Sequence, residues 1–239
     1  MRIALIGYGK MGREIEKIAL ERGHSISFKV TRENANYSPS DLTSSDIAIE
    51  FSVPEAAKRN IQKCFEANLP VVVGTTAWYD DFDAVVETCT SKQQSLFYAS
   101  NFSLGVNLFW KLTETMATLI EGHPEYSPRI NEIHHTEKLD TPSGTAITTA
   151  EKLIGAQQKV TDWKLVKEKE MSQEYLPITA ERLPNVPGTH TVTYESEIDK
   201  IELTHEAKSR KGFALGSVLA AEFLVDQKGV FTMNDLLGL

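Results

Sequence analysis

The sequence predicts an α/β protein with two domains: an N-terminal, Rossmann-like, doubly wound parallel sheet and a C-terminal α+β domain with an open mixed sheet. Short apolar runs alternate with helical patterns through the first half of the chain, which is typical of a parallel sheet covered on both faces. A glycine-rich turn joins the first run to the first helix. Near residue 102 this alternation gives way to longer strand-like segments. The length of 239 residues fits two modest domains.

The first strand, helix and strand form one compact unit. Residues 2–6 are a short buried strand, and apolar residues at 11, 15, 18 and 19 share one helix face. Gly23 ends this helix, and the alternation over residues 25–30 predicts the second strand. A unit of this kind directs the start of its helix at a crevice where ligands bind.

Further strands and helices complete the predicted N-terminal sheet. The strands are 46–51, 71–73 and 95–98, and the helices cover 57–65 and 80–91. Ser52 and Glu55 have the spacing of a capping box, which predicts that Ser52 caps the first of these helices.

The second half of the chain predicts a different architecture. Residues 172–188 carry three prolines and no periodicity, so we expect a loop there. The final helix, 211–225, could return to the first domain. The other helices are 104–121 and 143–155, and the strand-like segments are 128–136, 163–171, 189–196 and 199–207. The predicted domain boundaries are therefore 1–103 with 211–239, and 104–210.

Composition limits the classes of function. The net charge of −8, without a basic run, disfavours a nucleic-acid surface. No stretch approaches the roughly 20 apolar residues of a membrane span, and the run Ile3–Ile6 is too short for a signal peptide. Cys64 and Cys89 lack metal-ligand spacing and read as buried, idle thiols in a reducing compartment. We expect a soluble cytoplasmic protein.

The turn over residues 7–12 has the pattern Gly-x-Gly-x-x-Gly between a strand and a helix. This context favours a dinucleotide over a merely tight turn, because the backbone can approach a pyrophosphate while helix amides face the anion. Lys10 adds a cation beside the phosphates. The candidate cofactor residues of the turn are Gly7, Tyr8, Gly9, Lys10, Met11 and Gly12.

The end of the second strand predicts the choice of dinucleotide. An acid there would accept a hydrogen bond from the ribose 2′-hydroxyl, whereas arginine and small polar residues accommodate a 2′-phosphate. This strand ends in Thr31 and Arg32, and Glu33 comes later. The pattern favours NADPH, with NADH as a second cofactor. The alternative is that Arg32 is an ordinary surface charge.

Two further segments follow strands of the predicted sheet. Small residues at the carboxyl ends of parallel strands let a nicotinamide ring approach, although each segment alone is as often a turn. Ser52, at the end of the third strand, joins the candidate cofactor set. The two segments are Gly74, Thr75 and Thr76, and Ala99, Ser100, Asn101 and Phe102.

Residues 132–145 are the densest polar stretch of the chain. His134, His135 and Lys138 are able to deliver protons. The stretch ends in Ser143-Gly144-Thr145 at a helix start, where exposed amides and hydroxyls suit a carboxylate. The two histidines are adjacent rather than four apart, so no metal is expected. The alternative interpretation is a polar strand end with a capped helix.

This stretch resembles the signature of the dihydrodipicolinate reductase family. The resemblance extends over nearly the whole chain. Its blocks are the glycine turn, Glu50-Phe51-Ser52-x-Pro54, Gly74-Thr75-Thr76, Asn101-Phe102-Ser103-x-Gly105-Val106-Asn107, His134-His135-x-x-Lys138-x-Asp140-x-Pro142-Ser143-Gly144-Thr145, and residues 201–216.

The resemblance implies reduction of 4-hydroxy-tetrahydrodipicolinate, or its dehydrated form, to tetrahydrodipicolinate on the route to diaminopimelate and lysine. It implies a dinucleotide-binding domain at 1–103 and 211–239, a substrate-binding and oligomerisation domain at 104–210, and a homotetramer. His134 and Lys138 would be the catalytic pair, with Lys138 the main proton donor. The residues implied for the substrate dicarboxylate are His135, Lys138, Ser143, Gly144 and Thr145.

The sequence departs from the family pattern at three positions. Thr31 stands where an acid is common, which argues against tight use of NADH. Glu50 replaces the usual aspartate. Ala77 replaces a glycine that often follows the two threonines, so the loop there is expected to be less tolerant of unusual backbone angles.

Two other functions compete with this one. An aspartate or diaminopimelate dehydrogenase would share the glycine turn without needing the block at 134–145. A dinucleotide-sensing subunit would keep the turn and lose the proton donors.

Overall fold

The computed structural model describes residues 1–168, 170, 172, 174–209 and 211–239. The chain forms two compact units, residues 1–104 with 211–239, and residues 105–210. These limits lie within one residue of the boundaries expected from the sequence, and Arg210 lies outside the described residues. Which ligand each unit binds stays a prediction.

The first unit contains a six-stranded parallel sheet with the order β11-β5-β4-β3-β1-β2. Strand β1 is buried on both faces: Ala4 and Ile6 belong to one apolar cluster, and Ile3 and Leu5 to the other. Helices therefore cover both faces, and the predicted doubly wound sheet is confirmed. The strands are β1 Arg2–Ile6, β2 Ser25–Val30, β3 Ile47–Glu50, β4 Val71–Val73, β5 Ser95–Tyr98 and β11 Gly229–Phe231.

Five α-helices and two short 3₁₀ helices belong to this unit. Helix α6 packs against α1 and the middle of the sheet, as its small residues allow. A Cβ atom at Gly216 would lie 1.7 Å from the carbonyl oxygen of Phe102, so the close approach requires glycine. The helices are α1 Lys10–Glu21, α2 Pro54–Glu66, α3 Phe82–Ser91, α6 Lys211–Leu224 and α7 Met233–Leu237, with 3₁₀ turns at Pro39–Leu42 and Tyr79–Asp81.

The second unit contains a five-stranded mixed sheet with the order β10-β9-β6-β8-β7. Strands β6, β8 and β7 run parallel, whereas β9 and β10 are antiparallel to their neighbours. Trp110, Ile130 and Tyr194 lie in its apolar core. The elements are α4 Leu104–Ile120, β6 Ser127–His134, α5 Gly144–Gly155, β7 Trp163–Val166, β8 Leu176–Arg182, β9 Thr189–Glu195 and β10 Lys200–Glu206.

The expected loop at 172–188 is wrong, because residues 176–182 form strand β8 between β6 and β7. Leu176 to Thr179 are all buried, so this central strand shows no polar alternation. Pro177, the second residue of β8, argued against a strand in the sequence because proline lacks the N–H that a sheet requires. The neighbouring strand β7 ends at Val166 rather than residue 171. Lys169, Met171 and Gln173 lie outside the described residues.

The predicted capping box of α2 is also wrong. Helix α2 begins at Pro54, its N-cap is Val53, and no side chain caps it. The Ser52 hydroxyl instead donates a hydrogen bond to the buried carboxylate of Glu50. The Ser52 hydroxyl therefore binds the buried Glu50 carboxylate instead of capping α2. The helix starts with Pro54, which has no backbone N–H that needs a partner.

Both cysteines are buried and free, as expected. Burial raises the pKa of each thiol, which makes both unreactive. Among the described residues, the helices lack the combination of length and apolarity that crossing a bilayer demands.

Candidate active site

The three glycines of the turn between β1 and α1 have different structural roles. Gly7 has a φ of 97°, and a Cβ atom there would lie 2.0 Å from the carbonyl oxygen of Phe51. A Cβ at Gly12 would lie 2.5 Å from the carbonyl oxygen of Gly7, whereas one at Gly9 would meet nothing within 4 Å. Gly7 and Gly12 therefore make the turn tight, and Gly9 leaves its outer side open.

The start of α1 faces this open side. Gly9 is the N-cap residue and has no side chain to satisfy the first helical amides. Such amides carry partial positive charge and are suited to phosphate oxygens. Lys10 follows at the surface. The turn fits the pyrophosphate site that the sequence predicts.

A cleft of about 420 Å³ adjoins the turn. Gly7, Tyr8, Gly9, Thr31, Arg32 and Ser52, all predicted cofactor residues, line it. Arg59 and Asn60, on α2, line it as well, and sequence reasoning missed both. Rules based on strand ends do not reach a helix that packs beside the strands, so no sequence signal indicated Arg59.

The loop after β2 is held by a side chain that was not predicted. The backbone N–H and the hydroxyl of Thr31 both donate to Asn34 Oδ1, at 2.6 and 3.1 Å. The amide nitrogen of Asn34 donates to the carbonyl of Lys29 at 2.9 Å. Arg32 is left exposed, and in the described part of the chain neither Arg32 nor Arg59 has an acidic partner.

A second cleft of about 250 Å³ lies beside Met11 and the β4 loop, and Gly74, Thr75 and Thr76 line it. A Cβ atom at Gly74 would lie 2.0 Å from the Phe51 ring, so only glycine fits. Thr75 accepts a hydrogen bond from the Ser52 backbone N–H at 2.7 Å, which ties the β3 and β4 loops together.

Ala77 adopts a φ of 60°, in the left-handed region. The loop therefore takes the unusual backbone angle despite the missing glycine, at a cost of about 1–2 kcal/mol. The expected lower tolerance of this loop for such angles stays a prediction.

Glu50 lies under the loops that line these clefts and is fully buried. It accepts hydrogen bonds from Ser52 and, at 3.1 Å, from Asn60. Burial raises the pKa of this carboxyl, and the hydrogen bonds from Ser52, Thr75 and Asn60 only partly oppose the rise. Glu50 thus connects β3, α2 and the β4 loop from below.

The segment after β5 has a structural contribution. Phe102 is buried, with its ring 5.7 Å from the Phe51 ring and 5.8 Å from the Phe97 ring. Asn101 Oδ1 accepts from the Ser103 backbone N–H at 2.9 Å. Ala99 is half-buried and Ser100 is exposed. Other residues line the two clefts described above, so a cofactor role for these four residues stays a prediction.

In the second unit, candidate residues gather at the end of β6. Residues along β6 alternate in burial, so Ile130, Glu132 and His134 share the buried face. Glu132 was not predicted, although its position two residues before His134 places it on that face. Across the ladder, His190 of β9 is paired with Glu132, and Arg182 of β8 is paired with His134.

Glu132 is the centre of this group. Its Oε1 accepts hydrogen bonds from the Ser143 backbone N–H at 3.0 Å and from Arg182 Nη2 at 3.2 Å. Its Oε2 lies 3.3 Å from His134 Nδ1 and 3.6 Å from His190 Nε2. Burial would raise the Glu132 pKa, but His134, His190 and Ser143 together hold that pKa well below its ordinary value. Glu132 is therefore a buried carboxylate anion.

The loop after His134 brings the predicted cations to the surface. Lys138 is partly exposed and lies 2.8 Å from Asp140. Arg182 Nη2 donates to the Asp140 carbonyl at 2.7 Å and to the Thr141 hydroxyl at 2.9 Å. Arg182 thereby connects the Glu132 carboxylate to the loop that carries Lys138.

The two adjacent histidines lie in different surroundings. His134 is buried beside Glu132, whereas His135 lines an open cleft of about 510 Å³. Successive side chains at a strand end point to opposite faces, which explains the separation. The structure therefore does not place both imidazoles in one group.

Helix α5 begins at the other side of the Glu132 group. The Ser143 hydroxyl accepts from the Ala146 backbone N–H at 3.2 Å, as an N-cap residue does, and contacts His190 Nε2 at 3.2 Å. Gly144 is exposed, with open space where a Cβ would stand, and Thr145 is half-buried. The helix start that the sequence predicts at these residues is confirmed, and its cap is the one that the alternative interpretation included.

Glu132, His134 and His190 have potential ligand atoms within 4.8 Å of one another. The Arg182 guanidinium, 3.2 Å from the same carboxylate, opposes a further cation. The Ser143 N–H already occupies the other side of Oε1. These contacts favour a hydrogen-bonded ionic cluster over a metal site.

A doubly wound sheet with a glycine turn, together with a group of proton-bearing side chains on a mixed sheet, defines an oxidoreductase. Comparison with known proteins specifies which one. Models of the N-terminal and C-terminal parts of dihydrodipicolinate reductase match residues 1–102 and 105–237. The chain belongs to the dihydrodipicolinate reductase family.

Individual members of this family are similar to the chain in sequence and in fold. The chain is 52% identical over 237 residues to the 4-hydroxy-tetrahydrodipicolinate reductase of Christiangramia forsetii, covering 99% of this chain and 98% of the relative. It is 32% identical to the enzyme of Neisseria meningitidis serogroup B, covering 94% and 84%. The dipicolinate-bound dihydrodipicolinate reductase from Paenisporosarcina sp. TG-14 has the same fold, with a TM-score of 0.77, 97% coverage of each chain and 20% identity.

The family's reaction is the reduction of 4-hydroxy-tetrahydrodipicolinate in lysine biosynthesis, and this chain catalyses it. The activity and fold class that the resemblance implied are confirmed. The alternatives of another amino-acid dehydrogenase or a sensing subunit are not supported.

Proposed function

We propose that the first unit binds NADPH in preference to NADH. Arg32 and Arg59 line one cleft with Thr31, and no acidic residue lines it. Two exposed guanidinium groups fit a 2′-phosphate, whereas no carboxylate is present to accept from a 2′-hydroxyl. This cleft is the observation that supports the preference.

The rest of the cofactor follows from the neighbouring surfaces. We place the pyrophosphate at the open side of Gly9 and the start of α1, beside Lys10. The nicotinamide fits the cleft between Met11 and the Gly74–Thr76 loop, where small residues leave room for a flat ring. When bound, the reduced nicotinamide supplies the hydride. We include Ala99 to Phe102 as the remaining cofactor segment because they follow the next strand.

We propose that the second unit binds the dicarboxylate substrate around the loop 135–145. Lys138 and His135 offer cationic or hydrogen-bonding groups. Ser143, Gly144 and Thr145 form the start of α5, where backbone amides attract a carboxylate, and Gly144 is the exposed residue of the three. The net charge of −8 does not exclude an anionic substrate, because Lys138 places a cation in this loop.

The same loop supplies protons. Hydride addition to a carbon conjugated with an imine moves electron density toward the ring nitrogen, so a proton must be delivered. Lys138 is the main donor in this proposal, because its ammonium is partly exposed in the loop that leads to α5. His134 is a second donor or polarising group. General acid catalysis of this kind contributes roughly 10²- to 10⁴-fold.

An NADPH-oxidation assay tests the function. Substrate is made in situ from pyruvate and aspartate semialdehyde by the upstream synthase. We expect turnover that depends on both precursors and is faster with NADPH than with NADH at equal, subsaturating concentration. Faster turnover with NADH would contradict the cofactor proposal, and no turnover with either would contradict the assigned roles.

We also propose a homotetramer that acts in the cytoplasm. Strand β10 is an edge strand whose side chains are mostly exposed. Ile201, in this strand, and Ile198, just before it, expose 43% and 92% of their surface. An exposed strand edge with apolar side chains is suited to association with other copies. Light scattering coupled to size-exclusion chromatography should give four times the mass of 26.6 kDa, and a monomer would contradict the proposal. The two free thiols agree with a reducing compartment.

A further inference from the structure

Glu132 is a buried anion to which the proposed reaction assigns no role. It is fully buried, and a buried carboxylate is costly unless hydrogen-bonded or paired. Its Oε1 is satisfied by Ser143 and Arg182. In the part of the chain that the structure describes, Oε2 accepts no well-formed hydrogen bond. Glu132 Oε2 is therefore available to accept a further hydrogen bond.

Oε2 faces two imidazole rings. His190 Nε2 is 3.6 Å away and already contacts the Ser143 hydroxyl at 3.2 Å. His134 Nδ1 is 3.3 Å away and, among the described residues, has no other partner. An ionised carboxylate only accepts hydrogen bonds, so the contact with His134 is favourable only when Nδ1 carries a proton. Contacts of this kind are often poorly aligned without substrate and tighten when it binds.

We propose that Glu132 is a positioning residue that keeps a proton on Nδ1 of His134 and so makes Nε2 the nitrogen that serves the substrate. The inference rests on the role proposed above for His134. When His134 donates, the proton leaves Nε2 and the ring changes from imidazolium to neutral imidazole. Nδ1 keeps its proton, and Glu132 stays ionised throughout. The carboxylate orients the ring without accepting a proton.

Gly188 lies on the Nε2 side of the His134 ring. It precedes β9 with a φ of 155°, and a Cβ atom there would lie 2.9 Å from His134 Nε2 and 3.1 Å from Cδ2. Any side chain at this position would press on the nitrogen that the proposal requires to be clear. Glu132 therefore lies on the Nδ1 side of the ring, and glycine at position 188 keeps a side chain away from Nε2.

Nitrogen-15 NMR of the intact enzyme tests the proton's position directly. The ring signals of His134 are assigned by their loss in His134→Gln. In the neutral ring we expect Nδ1 to be the protonated nitrogen and Nε2 the unprotonated one. The opposite tautomer in the wild-type enzyme would overturn the proposal, and this result does not depend on whether any Glu132 variant folds.

A double-mutant cycle tests the catalytic consequence. Glu132→Gln keeps the side-chain shape and an acceptor for the Ser143 N–H. If Glu132 acts through His134, its replacement lowers kcat by no more than His134→Gln does, and it has little further effect in the His134→Gln background. Multiplicative losses in the double variant would show a merely structural role and overturn the proposal.

The double-mutant cycle also distinguishes a failure of this inference from a failure of the catalytic role proposed for His134. If His134→Gln alone leaves kcat unchanged, the proposed catalytic role of His134 is wrong, and the positioning role falls with it. If His134→Gln is slow but the two losses multiply, His134 keeps its role and only the part assigned to Glu132 is wrong. Thermal unfolding of each variant confirms that the kinetic comparison is made on folded protein.

Discussion

The backbone N–H of Ser143 donates a hydrogen bond to Oε1 of Glu132 at 3.0 Å, and this contact connects the start of α5 to the end of β6. The serine hydroxyl at the same time caps α5 through the Ala146 N–H. Replacement by alanine removes the cap and leaves the backbone contact in place. The two functions of Ser143 are therefore separable by mutation.

We expect Ser143→Ala to lower the free energy of unfolding by about 1 kcal/mol, the usual value of an N-cap. The KM for the dicarboxylate should rise as well, because the helix start is part of the proposed substrate site. Thermal unfolding and steady-state kinetics measure the two effects. Ser38→Ala, which removes an exposed capping side chain in the first unit, is the control and should leave KM unchanged. An unchanged KM in Ser143→Ala would contradict the substrate role.

Lys138→Ala should reduce kcat/KM by roughly 10²- to 10⁴-fold, because the variant loses a proton donor and a carboxylate partner. Lys111→Ala, on α4, removes a more exposed lysine that also lies near a carboxylate, and it should behave as wild type. A Lys138 variant with nearly wild-type kcat/KM would show that the main donor has been assigned wrongly.

Arg32→Ala and Arg59→Ala should each weaken NADPH binding by about tenfold to a hundredfold, as expected for a lost charged hydrogen bond. The Kd for NADH should change little, because NADH lacks the 2′-phosphate. Fluorescence titration measures both constants without turnover. Arg22→Ala, which removes a guanidinium paired with Glu222 on the same unit, is the control. Equal loss of affinity for both dinucleotides would place the arginines elsewhere on the cofactor.

Gly9→Ala and Gly7→Ala should fail in different ways. A methyl group at Gly9 meets open space, so we expect at most about 1 kcal/mol of destabilisation, from the altered N-cap, but clearly weaker dinucleotide binding. A methyl group at Gly7 meets the carbonyl of Phe51 at a positive φ, and the fold should lose about 2 kcal/mol or more. Chemical denaturation and cofactor titration distinguish the two. Normal cofactor affinity in Gly9→Ala would contradict the pyrophosphate position.

His190 predicts a pH dependence of stability. Burial lowers the pKa of its imidazole in the folded state, and the neighbouring Glu132 only partly opposes this. Between that lowered pKa and the ordinary value of about 6.5, the unfolded chain binds a proton that the folded chain excludes. The free energy of unfolding should therefore fall as pH is lowered from 7 through this range. His190→Gln should show a smaller fall, measured by denaturant titration at several pH values, and equal slopes would contradict the assignment.

Local pattern was sufficient for most of the first unit. The strands at 2–6, 25–30, 71–73 and 95–98 were predicted with the bounds that the structure shows. Each is a short run that ends at a turn signal, so its identity depends on a few adjacent residues. Strand β8 was missed, because its place in the sheet depends on pairing with β6, which is distant in sequence.

The residues of the candidate site also divide into those that local sequence predicted and those that it missed. The glycine turn and the block 134–145 were visible because their residues are consecutive. Arg59 and Asn60 reach the first cleft only because α2 packs beside β3, and Glu132, His190 and Arg182 meet only because three strands are in register. Strand register and helix packing are non-local, so no local pattern indicated Arg59, Asn60, Arg182 or His190. For Glu132 the only signal was its spacing of two residues from His134.

The alternation of strands and helices, the glycine turn, the family and its reaction follow from the order of the amino acids. Those properties depend on residues that are near one another along the chain. The burial of Glu132 between His134 and His190, and the meeting of Arg59 with Arg32 at one cleft, follow from the packing of the folded chain. Burial and distance set the charge and hydrogen bonding of these groups, and both arise only when separate strands and helices pack together.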